Sequence, residues 1–189
     1  YWTAPFAFID HTTTSYYATY INADFVSKFS NTDVRNLFVA SSTITNPADF
    51  RRYTTRKFKF NFGSDVPLIR TAEMILIDAE ALARTPGKEA EAHDLLYALQ
   101  KNRDVNAVKS TNTGAALIDE ILLERRKELY AENGVEWFDA KRLRKGITRT
   151  GNHRIFKNLS ADDKRFFLKV PQSEIDANES IDDTVNKDR

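Results

Sequence analysis

Two glutamates in the stretch PLIRTAEMILIDAEALA, residues 67–83, are of the type that a pair of catalytic carboxylates requires. Glu73 and Glu80 would lie on one face of a helix, roughly 10–11 Å apart along its axis. Inverting glycosidases hold their two carboxyl groups about 6.5–9.5 Å apart. The spacing is slightly too long, so a glycosidase that uses this pair is the weaker interpretation.

The stronger interpretation is that these charges determine how helices pack. Arg70 precedes Glu73 by one helical turn, and the later stretch LERRKEL interrupts an apolar stripe with charged residues. A buried charge without a partner is very costly, so each arginine needs a carboxylate. The sequence therefore predicts cross-helix pairs from either of two arginines to any of three glutamates: Arg70 or Arg125 with Glu73, Glu80 or Glu124.

The stretch EWFDAKR also has two interpretations. The indole of Trp137 could stack against the apolar face of a sugar, or it could anchor the core beside Phe138. The surrounding pattern is amphipathic, which favours the core. Asp139 and Arg142, three positions apart, are predicted to form an ion pair on one helix face.

The sequence contains no motif that indicates a metal site or a cofactor site. His11, His93 and His153 form no HExxH or HxH pattern, and the chain has no cysteine. Phosphate-binding, dinucleotide-binding and GxSxG motifs are also missing, so we expect no metal site and no cofactor. The net charge of +1 does not indicate a nucleic-acid partner, and no apolar run is long enough for a transmembrane helix.

The chain begins at Tyr1, and its only methionine is Met74. We therefore expect a fragment or a processed product. A signal peptide or a lipid-accepting cysteine in the parent protein remains compatible with this sequence.

Aromatic residues concentrate near the start of the chain: fifteen of the twenty-two fall in residues 1–62. This region is also rich in Thr, Ser and Asn and lacks a helical period. It predicts a loop-rich segment over residues 1–66 with short strands, one of them at RRYTTRKFKFNFG, where Phe58, Phe60 and Phe62 alternate with polar residues.

Helical periodicity dominates from residue 67 to residue 146. Predicted helices cover residues 67–83, 88–103, 115–132 and 135–146, and the first two form a tetratricopeptide-like hairpin. Residues 147–189 predict two short strands, HRIFK and RFFLKV, and an acidic tail. The predicted fold is mainly α, with helical hairpins, a loop-rich aromatic region and a few short strands.

Four blocks in order resemble the C-terminal half of SusD/RagB-like proteins. They are PLIRTAEMILIDAEALA, ALQKNRDVNAV, LIDEILLERRKELYAENGVEWFDAKR and FLKVPQSEIDAN. The resemblance rests on residues such as Arg70, Glu73, Arg103, Glu132 and Trp137, and it covers about 110 residues.

This resemblance implies a non-catalytic nutrient-binding lipoprotein at the cell surface of a Gram-negative outer membrane. Such proteins bind an oligosaccharide or a peptide and deliver it to a SusC-like TonB-dependent transporter. The lipid anchor would lie on an N-terminal segment that this chain lacks. The matched motifs mark the helical scaffold and leave the ligand site open.

Carbohydrate recognition requires exposed aromatic faces flanked by polar groups. The aromatic opening region supplies both, although the composition favours most of its rings as core residues beneath the loops. The candidate ligand-binding residues are Trp2, Tyr16, Tyr17, Tyr20, Asn22, Asp24 and Arg52.

Three functions follow from these observations. The first is a non-catalytic receptor for glycan uptake. The second is a helical scaffold that binds the transporter without touching the ligand. The third, and weakest, is a glycosidase that uses Glu73 and Glu80.

Overall fold

The computed structural model describes residues 20–57, 67–155 and 157–187. Its helices are α1 (Ala23–Val26), α2 (Thr71–Ala83), α3 (Glu89–Arg103), α4 (Gly114–Leu129), α5 (Val135–Arg142) and α6 (Gln172–Ala177). Two strands, β1 (Phe38–Ala40) and β2 (Tyr53–Thr55), form an antiparallel pair in which Val39 lies opposite Thr54. The prediction of a mainly α-helical fold with few short strands is confirmed.

The chain divides into two compact units. The described residues of the first unit are 20–57, 67–135 and 150–154, and those of the second are 136–149, 155 and 157–187. We describe each unit by itself.

The main core of the first unit lies among α2, α3 and α4. Apolar residues three or four positions apart place one stripe of each helix inward. Leu76 and Ala79 of α2, Leu96 of α3, and Leu117 and Ile121 of α4 are almost completely buried. Residues 84–88 join α2 to α3, and Gly87 takes the positive φ of 77° that a side chain would disfavour.

Helix α2 begins four residues later than the apolar pattern predicts. Asn133 donates hydrogen bonds of 3.0 Å to the carbonyl oxygens of Pro67 and Leu68. Arg70, at the N-cap of α2, is extended, with φ −128° and ψ 145°. These contacts hold the approach to α2 outside the helix.

A second, aromatic core lies under the irregular part of the first unit. Phe25 of α1 packs edge-on against Phe29 and Tyr130, with ring centroids 5.2 and 5.3 Å apart. Phe38 of β1 contacts the same rings. These aromatic residues of the opening region are core residues, because Phe25 and Phe29 are buried.

The second unit holds most of α5, α6 and two short 3-10 helices, Lys164–Phe166 and Asp183–Asn186. Trp137 packs against Phe166 with ring centroids 4.9 Å apart. Phe166 is buried and Trp137 is half-buried, so the contact is compatible with the core interpretation of Trp137. Phe138, by contrast, is 63% exposed.

The two strands predicted at HRIFK and RFFLKV are wrong for the described residues. Residues 153–155 and 157 contain no strand, and the second stretch turns into the 3-10 helix Lys164–Phe166. The side chain of Asp163 accepts a hydrogen bond from the backbone N–H of Arg165 and caps that turn. Instead, Ile147 and Leu159 form an isolated antiparallel bridge.

Candidate functional site

Glu73 and Glu80 bind different arginines. Arg125 of α4 donates to Glu73 over 2.9 Å, so this predicted cross-helix pair is formed. Glu80 instead accepts two hydrogen bonds, of 2.9 and 2.7 Å, from Arg84, one turn further along the chain. Each carboxylate therefore has its own cation, and the arrangement suits packing better than proton transfer to a substrate.

Helix α4 presents a row of carboxylates four positions apart, continued just beyond its end. Glu124, Glu128 and Glu132 are all buried, each less than 10% exposed. Arg70 does not reach the partners predicted for it. It binds Glu128 over 2.8 Å and Glu132 over 2.9 Å, because its extended backbone precedes α2 and directs the side chain toward the end of α4.

Cations from several parts of the first unit meet this row. Glu128 accepts hydrogen bonds from Arg35 (2.9 Å), Arg70 (2.8 Å) and Arg103 (3.0 Å). Arg35 also lies 2.7 Å from Glu124. The Nζ atom of Lys57 lies 2.5 Å from Glu132 and donates to the backbone oxygens of Glu128 and Tyr130.

The pKa values in this network follow its geometry. Burial alone would raise the pKa of Glu128, but hydrogen bonds from Arg103 and Arg70 outweigh burial and hold it at about 2, below the usual 4.5. Burial would also raise the pKa of Asp33, yet hydrogen bonds from Arg35 and Lys127 lower it to about 2. Both carboxyl groups are thus ionised and neutralised by neighbouring cations. A group held in that state is a poor general acid at neutral pH.

Sequence reasoning did not assign several members of this network, namely Asp33, Arg35, Lys57, Arg103, Lys127, Glu128 and Glu132. A usable signal was present in the sequence, since Glu124, Glu128 and Glu132 stand at intervals of four residues along α4 and just beyond its end, and buried carboxylates on one helix face need several cations. In the second unit, Arg142 donates to Asp139 over 2.7 Å, as their spacing predicts.

Among the ligand candidates, Trp2, Tyr16 and Tyr17 lie outside the described residues. Tyr20 is 39% exposed, and its ring meets Phe50 edge-on with centroids 5.6 Å apart. It therefore presents a partly exposed aromatic ring at the surface of the first unit.

Asn22 and Asp24 belong to the start of α1. The side-chain oxygen of Asn22 accepts a hydrogen bond of 2.8 Å from the backbone N–H of Asp24, and its amide donates to the carbonyl oxygen of Thr150 over 2.7 Å. Asn22 thus caps the helix and secures a distant loop. The side chain of Asp24 is exposed.

Arg52 supports a loop. Its Nη1 atom donates to the carbonyl oxygens of Ser41 and Ile44, the latter over 2.6 Å. The guanidinium carbon lies 5.7 Å from the ring centre of Tyr53. One of its terminal nitrogens is therefore already engaged with backbone.

Phe50 forms the centre of a surface cluster that sequence reasoning did not identify. Two guanidinium carbons lie near its ring centre, that of Arg154 at 5.3 Å and that of Arg51 at 5.7 Å. We call Tyr20, Phe50, Arg51 and Arg154 the Phe50 patch. It combines aromatic surface with several hydrogen-bond donors, which is the composition expected of a saccharide-binding surface.

Two further searches of the described residues gave negative findings. Residues 20–57, 67–155 and 157–187 contain no group of three or more His, Asp or Glu side chains placed to hold a metal ion. Within the same residues, no helix has the length and apolar character needed to cross a membrane.

Comparisons with known proteins place these features in a family. Residues 15–186 match the sequence profile of the SusD family. No curated protein sequence matches this chain.

Two solved structures have a similar fold. A SusD-like carbohydrate binding protein from Bacteroides vulgatus ATCC 8482 superposes with a TM-score of 0.75 at 23% identity, covering 98% of this chain and 44% of that chain. A SusD superfamily protein from Bacteroides thetaiotaomicron VPI-5482 also has a TM-score of 0.75, at 29% identity, covering 93% of this chain and 42% of that chain. The present chain spans less than half the length of these relatives.

Proposed function

Because this chain belongs to the SusD family, we propose that it is part of a non-catalytic surface protein that binds oligosaccharides for uptake. The structurally similar protein from Bacteroides vulgatus is described as carbohydrate binding, which supports a saccharide as the ligand class. The proposal concerns the whole protein, of which this chain would be one portion.

The observation that carries the proposal is the contrast between the two sets of polar residues in the first unit. The buried carboxylates of α4 are neutralised by arginines and lysines and so hold the scaffold together. The Phe50 patch instead presents Tyr20 and Arg154 at the surface. A protein that binds a saccharide without cleaving it needs an exposed surface such as the Phe50 patch. It does not need an acid and a base that are free to act on the ligand.

The cellular context is also part of the proposal. The protein would be anchored by lipid at the outer surface of the outer membrane and would deliver its ligand to a SusC-like TonB-dependent transporter. Affinity-tagged full-length protein should then retain that transporter when detergent-solubilised outer membranes are passed over it. Recovery of the tagged protein without any such transporter would contradict this part.

Saccharide binding is tested by affinity electrophoresis in gels that contain a panel of polysaccharides. We expect at least one polysaccharide to retard the protein, with no release of reducing sugar during long incubation. Release of reducing sugar would contradict the non-catalytic assignment. Retardation by none of the panel would contradict saccharide binding.

Two variants would locate the binding surface. Tyr20→Ala should weaken retardation, because Tyr20 supplies exposed aromatic area to the Phe50 patch. Phe138→Ala is the matched control, since it removes a ring that is 63% exposed in the second unit. Equal retardation of wild type and Tyr20→Ala would show that the ligand binds elsewhere.

A further inference from the structure

Arg154 is an exposed cation held over an aromatic ring. Its guanidinium carbon lies 5.3 Å from the centre of the Phe50 ring. Within the part of the chain that the structure describes, it forms no hydrogen bond and no ion pair. Arg51 lies near the same ring but is committed, because Asp49 accepts hydrogen bonds of 3.0 and 2.7 Å from its Nε and Nη2 atoms.

A guanidinium group near an aromatic ring can still use its N–H donors. These donors lie in the plane of the group and match a carboxylate or a sulfate in two parallel hydrogen bonds. The contact with the ring also limits the conformations of the long side chain, so less entropy is lost when an anion binds. Arg154 therefore has the chemistry of an anion-binding residue, whereas Arg51 already has an anion.

The backbone that carries Arg154 is fixed on two sides. Asn152, which is 5% exposed, donates a hydrogen bond of 2.8 Å to the carbonyl oxygen of Asp49 and accepts one of 2.7 Å from the N–H of Ala23. Asn22 holds the carbonyl oxygen of Thr150. Residues 150–154 are thus tied both to the segment around Phe50 and to the segment that follows Tyr20.

We propose that the Phe50 patch binds acidic saccharides, with Arg154 pairing with a carboxylate or sulfate group. The exposed ring of Tyr20 would contact the apolar face of a neighbouring sugar. This inference rests on the proposed function, since it names the class of saccharide that the same surface takes. It also predicts that a neutral saccharide binds this surface more weakly than its charged counterpart.

The test compares polymers that share a backbone and differ in charge. Affinity electrophoresis and calorimetry at about 0.15 M salt, which screens long-range attraction, would use two pairs of probes. Polygalacturonate is compared with its highly methyl-esterified form, and dextran sulfate with dextran. The first pair detects recognition of a carboxylate and the second detects recognition of a sulfate.

The key variant is Arg154→Gln, which removes the charge and keeps most of the length of the side chain. Its control is Lys101→Gln, which removes the same charge from an exposed position on α3. We expect Arg154→Gln to lower the association constant for the charged probe at least about tenfold, with little change for its neutral partner. Circular dichroism would establish that both variants fold.

Each outcome has a distinct meaning. Weaker binding of a charged probe by Arg154→Gln, but not by Lys101→Gln, supports the inference. The probe pair in which this loss is seen identifies the anionic group as a carboxylate or a sulfate. Equal losses of affinity in Arg154→Gln and Lys101→Gln would indicate unspecific electrostatic attraction and overturn the inference. Equal binding of charged and neutral polymers would overturn it while leaving the proposed function intact. Retardation by no polysaccharide, charged or neutral, would overturn both.

Discussion

Arg70 and Glu132 lie 62 positions apart in the chain and form a two-pronged ion pair. Nε of Arg70 donates to one carboxylate oxygen and Nη2 to the other, both over 2.9 Å. Arg70 also binds Glu128, whose side chain is buried as well. The pair joins the segment before α2 to the segment after α4, so it fixes the geometry between the two.

The two-pronged geometry predicts that Arg70→Lys destabilises the fold although it keeps the positive charge. A lysine ammonium cannot reproduce the planar fork, so buried acceptors lose hydrogen bonds. We expect the free energy of unfolding to fall by about 1–2 kcal/mol in urea denaturation followed by circular dichroism. The control is Arg84→Lys. Arg84 pairs with Glu80 and is 45% exposed, so this substitution should change the free energy of unfolding by about 0.5 kcal/mol or less. Equal stabilities for Arg70→Lys and wild type would contradict the structural role of the pair.

Arg125→Ala tests the pair between α2 and α4. Arg125 is 7% exposed and donates to Glu73, so its removal leaves a partly buried carboxylate without this partner. We expect the free energy of unfolding to fall by about 3 kcal/mol. Arg126→Ala, at the neighbouring exposed position, should cost about 1 kcal/mol or less, although its guanidinium lies over Phe25. A loss below about 1 kcal/mol for Arg125→Ala would mean that Arg125 behaves as a surface residue.

The buried carboxylates predict a specific acid sensitivity. The pKa values of Glu128 and Asp33 are about 2 in the folded protein, against ordinary values of 4.5 and 3.8. Their contribution to stability is therefore complete above about pH 5 and is lost as the pH falls toward 2. Denaturation midpoints measured from pH 6 to about pH 2 should fall steeply over that window.

The variant Glu128→Gln identifies the source of this dependence. It should be less stable at neutral pH, since it leaves three arginines without a shared carboxylate, but its stability should depend less on pH between about 5 and 2. Glu91→Gln, at an exposed pair with Lys88, should keep the wild-type slope. A Glu128→Gln protein with an unchanged slope would rule out this carboxylate as a main source.

The helical scaffold could be predicted from sequence because its signals are local. Apolar residues such as Leu76 and Leu96 repeat at helical spacing, and Gly87 marks the turn between their helices. The pair of Arg125 with Glu73 could be anticipated for the same reason, since both interrupt apolar stripes. The RFFLKV stretch misled because its apolar composition does not reflect burial: Phe166 is buried, whereas Phe167 and Leu168 are exposed.

The Phe50 patch could not be predicted in the same way. Arg154 lies over Phe50 in a segment that is tied to distant parts of the chain, for example by the hydrogen bond from Asn152 to Asp49, 103 positions earlier. Irregular segments carry no period that reports such long-range contacts. Polarity predicts Asn22 as a ligand residue, and the structure shows that its side-chain amide also caps α1 and holds Thr150. Polarity alone does not tell a binding group from a structural one.

Gly151 lies against the side chains of Asn22 and Asp24 at the start of α1. Its φ is +66°, and an added Cβ would lie 2.8 Å from Asn22 Oδ1 and from the Asp24 carboxylate. Gly151→Ala should therefore suffer both backbone strain and a steric clash. Gly87→Ala separates the two effects, because Gly87 has φ +77° but nothing within 4 Å of the new Cβ.

We expect Gly87→Ala to lower stability by about 1–2 kcal/mol, which is the cost of a left-handed conformation for an L-residue. Gly151→Ala should lose at least about 1 kcal/mol more, because Asn22 must move and its hydrogen bond to Thr150 is disturbed. Thermal and urea denaturation of the two variants measure this difference directly. Equal losses would mean that residues 150–154 can shift away from α1 at little cost, and Arg154 would then not be held in a fixed position over Phe50.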